Sequence, residues 1–161
     1  MCIRDSCRLG EGLGEDGMLQ ADRIQVALAA MARFAGIMKA MGVTTIHAVA
    51  TAAVRRARNA VEFTGQAEAI IGQPIEVLSQ DEEAHFVSQG LTLNIPEATG
   101  FVADLGGGSL EVVKLERGVA QHSTSFNFGH LSTVTADDLR NAFHSTPWLA
   151  GDSSTRIFGV G

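Results

Sequence analysis

Beyond residue 7 the chain has no cysteine, and the two it carries, Cys2 and Cys7, lie too close to one end to staple the body of a fold. A disulfide framework is excluded, and a reducing, cytoplasmic setting is the simplest. No run approaches the roughly 20 apolar residues of a membrane helix. Residues 1–6 lack the apolar centre of a signal peptide. The chain therefore reads as soluble and unexported, with no membrane partner. Positive charge is also scarce: 12 Lys and Arg against 18 Asp and Glu give a net charge of −6. That balance argues against a nucleic-acid binder and means that a polyanionic substrate needs a local basic patch. The histidines at 47, 85, 122, 130 and 144 show no metal-ligand spacing and are read as structural or surface residues. Neither usual nucleotide fingerprint occurs, since no G-x-G-x-x-G opens a helix and there is no G-x-x-x-x-G-K-[ST].

What remains is ample for a core: 161 residues, 45% of them hydrophobic, at about the length of one ordinary domain. The most informative stretch is Phe101-Val-Ala-Asp-Leu-Gly-Gly-Gly-Ser-Leu-Glu-Val-Val-Lys-Leu115. β-formers on both sides of three glycines predict a strand, a tight turn and a returning strand. Glycine permits backbone angles that side chains forbid, and it leaves no Cβ to keep an anion from the turn's N–H groups. Each glycine costs about 0.5–1 kcal/mol against alanine, so three together point to a forced turn or a close approach. Asp104 and Glu111 flank a phosphate-sized gap over Gly106, Gly107, Gly108 and Ser109. Two carboxylates beside an anion cradle are what a hard divalent cation such as Mg²⁺ uses to neutralise phosphoryl oxygens. On these residues alone, a solvated β-turn with acids at its ends is the alternative.

Before that stretch, residues 8–17 carry four glycines and three acids and predict a loop or a strand tail. Ile24, Leu28, Met31, Ala35 and Met38, widened by Ala27, Phe34 and Met41, predict an amphipathic helix closed by Gly42. Its methionines are core filler rather than a cofactor box. Residues 43–50 predict an inner parallel strand. Arg55, Arg56 and Arg58 then crowd the start of the next helix, where Asn59 and Glu62 have capping-box spacing. Cations there oppose the helix dipole unless an anion is recruited, which makes Arg55, at the strand's end, a candidate anion ligand. Solvated surface arginines are the alternative.

That helix runs through Phe63, Ala67 and Ile70 to Gly72, and residues 74–79 follow as a second strand. Ser79-Gln-Asp-Glu82 is a capping box for a third helix to about Leu91. Glu82 thereby has a structural task. Glu83 falls at the margin of the apolar face, one turn before Val87, where a partly dehydrated carboxylate can serve as a general base. An ordinary exposed helix acid is the alternative. Residues 94–100 read as a linker, 119–128 as a strand closed by Gly129, 137–143 as a short helix and 156–160 as a final strand.

Taken in order, Ala50-Thr-Ala-Ala-Val-Arg55, Ala57-Arg-Asn59, Ile75-Glu-Val-Leu-Ser79, Asp81-Glu-Glu-Ala84 and Asp104-Leu-Gly-Gly-Gly-Ser109 resemble the Ppx/GppA family of exopolyphosphatases and guanosine pentaphosphate phosphohydrolases. The resemblance runs from about Arg8 to Leu131. It implies an α/β, actin-like and ribonuclease-H-like fold of two domains, with residues 8–98 in the first and 99–161 opening the second. It implies Glu83 as the base for the attacking water, Arg55 and residues 106–109 as phosphate binders, and Asp104 with Glu111 at a Mg²⁺ ion, Asp104 being also catalytic in helping to orient the water. Polyphosphate or guanosine pentaphosphate is the implied substrate, and a homodimer of the full-length protein is compatible with it.

The chain also departs from the family. The expected opening strand and Asp-x-Gly-Ser-Asn-Ser type loop are missing, residues 1–7 fit nothing in the family, and Leu110 stands where a threonine is common. The expectation is a fragment of a longer enzyme, incomplete at both ends, with a spurious head and no activity alone. The rival from another class is a nucleotide or alarmone sensor that binds without hydrolysis. A phosphotransferase like the sugar kinases ranks lower, because no sugar pocket is recognisable.

Overall fold

The computed structural model describes residues 5–13, 16–150 and 155–160. Residues 1–4 of the expected head and Gly161 at the expected last strand's end lie outside them. The contacts divide the chain into two compact units, Met1–Leu78 and Ser79–Gly161, and each is described by itself.

In the first unit, α1 (Ala21–Ala40), β1 (Ala48–Ala50), α2 (Ala52–Arg56), α3 (Ala60–Ile71) and β2 (Ile75–Val77) follow one another. β1 and β2 pair in parallel, Ala48 with Ile75 and Ala50 with Val77. The core lies between helices: Leu19, Ile24, Ala27, Leu28, Val54, Phe63 and Ala67 form one buried cluster. The predicted stripe of α1 is thus buried in its N-terminal half, whereas Met31, Phe34 and Met38 are half-buried and Met41 is exposed. Gly42 ends the helix as predicted, at φ +68°. The Val43 amide bonds the Met38 carbonyl and the Gly42 amide bonds that of Lys39, the paired bonds of a Schellman stop.

Three expectations in this unit need correction. The strand predicted over 43–50 is only three residues long, because residues 44–47 find no ladder partner among the described residues. Arg55 and Arg56 do not open a helix but occupy the last turn of α2, which starts at Ala52 and so places both cations where they complement the dipole. Asn59 precedes α3 but makes no cap bond to it. Its side chain reaches instead to Leu19, accepting from the amide at 2.9 Å and donating to the carbonyl at 3.1 Å, and so ties the loop before α1 to the start of α3.

The second unit begins with α4 (Gln80–Thr92), whose predicted capping box is present: Ser79 Oγ accepts from the Glu82 amide while the Glu82 carboxylate accepts from the Ser79 amide. Then come β3 (Gly100–Leu105), β4 (Leu110–Glu116), β5 (Val119–Phe126), α5 (Ala136–His144), a 3₁₀ turn at Pro147–Leu149 and β6 (Ile157–Val160). The sheet order is β5-β4-β3-β6, with both hairpin pairs antiparallel and β6 parallel to β3. β5 stops two residues short of the prediction.

Side chains alternate across a strand, so Val102, Val113 and Leu115 share one face. They pack with Ala84 and Ala98, against Val87 and Leu91 of α4 and Phe158 and Val160 of β6. This packing groups α4 with the second sheet, ahead of the linker read at 94–100. On the other face Trp148 stacks on His122 and tilts against Phe101, and Phe126 contacts Phe128 and Phe143.

The Asn59 bridge separates two readings of that residue. Asn59→Asp keeps an acceptor suited to a helix cap but loses the donor to the Leu19 carbonyl and opposes it with a carboxylate. We expect it to destabilise the fold by about 1–3 kcal/mol, the cost of an unmet partly buried group. Urea unfolding followed by far-ultraviolet circular dichroism measures this, and equal or higher stability would favour the capping role.

Candidate active site

β3 and β4 carry the candidate residues into one place. Their ladder pairs Asp104 with Glu111 and Leu105 with Leu110, so residues 106–109 form the whole turn. The Gly106 amide closes it by donating to the Ser109 carbonyl at 2.9 Å. Asp104 shares the face of Val102, and Glu111 shares that of Val113 and Leu115, so both acids stand on the side that α4 covers. Directly opposed residues hold their Cβ atoms about 5 Å apart.

The two acids differ in setting. Glu111 is 1% exposed. Its Oε1 accepts from Ser125 Oγ at 2.9 Å, and Ser125 is its register partner on β5. A polar row of Asp104, Glu111 and Ser125 thus crosses three strands. Asp104 is half-buried, and its carboxyl is raised above the ordinary aspartate value, first by burial and second by the negative charge of Glu111.

Such a pair fits a hard divalent cation, which would offset both the burial and the lesser repulsion by Glu111 that raise Asp104. Among the described residues no group of three or more His, Cys, Asp or Glu gathers.

The glycines act differently from expectation. Neither Gly106 nor Gly107 has a left-handed φ, so forbidden backbone angles are not their reason. Nor does packing exclude a side chain at either: a Cβ at 107 would make ordinary contacts, 3.4 Å from Leu131 Cδ1 and 3.8 Å from His130 Cε1, and one at 106 would stand 3.5 Å from the Ser109 carbonyl oxygen.

Glu83 lies in the first turn of α4, half-buried beside the buried Ala84. The direction of α4 follows from its other end. Thr92 Cγ2 is 3.8 Å from where a Cβ at Gly118 would be, and Gly118 turns β4 into β5, opposite the glycine loop. The Glu83 end of α4 is therefore the end away from the β4–β5 turn. Arg55 belongs to the first unit, where its Nη1 donates to the Leu78 carbonyl at 2.6 Å.

The second unit thus brings together Asp104, residues 106–109 and Glu111, with Glu83 on the helix above the same face. Three contributors escaped the sequence reading. Ser125 is an unmarked strand serine, His130 was set aside for want of metal spacing, and Gly129 was read only as a strand end. The alternation of β5 opposite Glu111 could have pointed to Ser125; no local signal marks the other two.

A carboxyl whose value is raised on folding holds its proton more tightly in the folded state. It therefore weakens the fold at pH above that raised value, and ceases to do so once both states are protonated. Asp104→Asn is expected to unfold at a higher temperature than the wild type at pH 7, with the difference vanishing below the ordinary aspartate value of 3.8. Differential scanning calorimetry across pH checks this, and an equal or lower midpoint at pH 7 would contradict it.

Residues 2–139 match the Ppx/GppA phosphatase family. An exopolyphosphatase-like protein of known structure shares 28% identity at a TM-score of 0.76, over 96% of this chain and 55% of that one. The Ppx/GppA enzyme of Aquifex aeolicus shares 26% at a TM-score of 0.69, over 95% and 56%. An exopolyphosphatase from Cytophaga hutchinsonii is alike in fold, with 24% identity and a TM-score of 0.70 over 84% and 42%. The chain spans about half the length of these relatives. Its fold class is α/β and actin-like. Among the described residues no helix is long and apolar enough to cross a membrane. The family's members are phosphoanhydride hydrolases, in general dependent on divalent metals. With most of its residues matched, this chain belongs to the Ppx/GppA phosphatase family.

Proposed function

We propose that the protein to which this chain contributes hydrolyses terminal phosphoanhydride bonds, with polyphosphate as the leading substrate and guanosine pentaphosphate presenting the same terminal phosphoryl chemistry. The observation that carries this reading is the register that sets Asp104 opposite Glu111 at the mouth of the turn 106–109. An acid pair and an anion cradle side by side suit a phosphoryl group accompanied by a cation.

In this reading residues 106–109 form the phosphate cradle: the Gly106 N–H closes the turn on the Ser109 carbonyl, backbone N–H groups after it receive the phosphoryl oxygens, and Arg55 adds a guanidinium suited to bidentate phosphate binding. Asp104 and Glu111 would hold Mg²⁺, which when bound supplies charge neutralisation at the phosphoryl oxygens. Glu83 accepts a proton from the attacking water. Its half-buried place in the first turn of α4 suits that task, since a fully solvated carboxylate is a weaker base. A cytoplasmic location goes with this chemistry and with cysteines confined to one end.

Hydrolysis and mere binding part at Glu83. In the longer protein, Glu83→Gln is expected to leave substrate affinity within severalfold and to lower turnover by about 10²–10⁴, the usual loss for a general base. Phosphate release from polyphosphate and from guanosine pentaphosphate, each with Mg²⁺, provides the measurement. Unchanged turnover would assign the base elsewhere, and no release by the unsubstituted protein from either substrate would end the hydrolase reading.

A further inference from the structure

The back of the glycine loop is held by a second segment, residues 129–132, which follows β5. The His130 amide donates to the Gly106 carbonyl at 3.0 Å and the Leu131 amide donates to the Gly107 carbonyl at 3.0 Å. His130 Nδ1 lies 3.0 Å from the same Gly106 oxygen. The segment is itself a closed turn, with the Ser132 amide on the Gly129 carbonyl at 2.9 Å and the Gly129 amide on Ser132 Oγ at 3.2 Å. The approach is so close that a Cβ at position 129 would overlap the Gly107 carbonyl and the Gly108 nitrogen.

Peptide planarity turns these bonds into a direction. In a trans peptide the C=O and the following N–H point opposite ways. Drawing the Gly106 carbonyl onto residues 129–132 therefore aims the Gly107 amide to the other side of the loop, and the bond to the Gly107 carbonyl orients the next plane in the same sense. An anion cradle needs N–H groups presented together to one side. Adjacent glycines left to themselves have the widest backbone freedom of any residues, and a ligand that must order them binds more weakly.

We propose that residues 129–132 are the positioning segment of the phosphate loop and that His130 is its side-chain clamp. The segment touches no phosphate; it fixes the peptide planes whose N–H groups receive one. The imidazole needs only a proton on Nδ1 to donate to the Gly106 carbonyl, a role that another side-chain N–H can fill. This rests on reading residues 106–109 as a phosphoryl cradle.

The test uses the ¹⁵N-labelled chain, tripolyphosphate with Mg²⁺ as the probe, and three variants. Exchange of the His130 and Leu131 amides reports the segment's grip, and shifts of the Gly106 to Ser109 amides report binding. His130→Ala is expected to speed that exchange and to weaken tripolyphosphate binding by about fivefold, the factor of one hydrogen bond. His130→Asn, whose side-chain amide can donate to the same carbonyl, should recover most of the affinity, a rescue that general loss of stability would not give. Gly129→Ala should weaken binding further. Should that variant not fold, by the near-ultraviolet signal of Trp148, the histidine pair decides. Wild-type binding with both histidine variants unaffected would overturn the positioning role alone. A wild-type chain that binds no tripolyphosphate would overturn the cradle reading itself.

Discussion

The β3–β4 register is the constraint on which the candidate site depends. A slip of one residue would carry Asp104 to the opposite face and unpair it from Glu111, because strand side chains alternate. What forbids the slip is burial on both faces. Val102, Val113 and Leu115 are locked under α4, while Phe101 is held against Trp148. Fully burying one such aliphatic side chain is worth about 1.5–3 kcal/mol, so a register that exposed three of them would lose more than most domains have to spare. Apolar packing along the hairpin thus fixes polar chemistry at its tip, where the ladder leaves only residues 106–109 to turn the chain.

The first unit is organised differently. Its strands are three residues each, so the sheet contributes little and helix packing carries the fold. Asn59 does there what a longer sheet would otherwise do, supplying a donor and an acceptor to the backbone of Leu19 across 40 residues of sequence. The Arg58 amide adds a bond to the Gly17 carbonyl at 2.8 Å beside it. These three bonds bring the loop before α1 against the start of α3 and seat Leu19 in the core.

What the sequence made legible was what local rules govern. The Ser79–Glu82 box, the stop at Gly42, the stop of α3 at Gly72 and the glycine hairpin each depend on residues within a few positions of one another, and each is present. The acid pair was legible for the same reason, since a four-residue turn puts its two flanks in register. The failures were non-local. Asn59 has capping spacing but a better partner far away in sequence. The arginines were assigned to the wrong helix end because nothing before them marks the one-turn helix that starts at Ala52. The glycines at 106 and 107 invite an explanation by backbone angle, yet neither has a left-handed φ, and what holds their carbonyls is a segment more than twenty residues downstream whose own Gly129 leaves no room for a side chain. Spacing rules carry no information about such partners.

The electrostatics of the loop supply the last step. An anion cradle and a pair of carboxylates are opposed in sign, and at about 5 Å with an effective dielectric near 20 each pair of like charges costs roughly 3 kcal/mol. A phosphoryl group entering beside Asp104 and Glu111 would meet that cost in addition to the one the acids impose on each other, which, after burial, raises Asp104. Burial removes the water that would screen it, and Ser125 offers Glu111 one neutral donor, not a charge. The arrangement is unfavourable for binding an anion alone. A divalent cation held by Asp104 and Glu111, as proposed above, would offset both repulsions. A cradle of the kind proposed for residues 106–109 would discriminate against bare phosphate and in favour of its metal complex, the preference that a metal-dependent phosphoanhydride hydrolase requires.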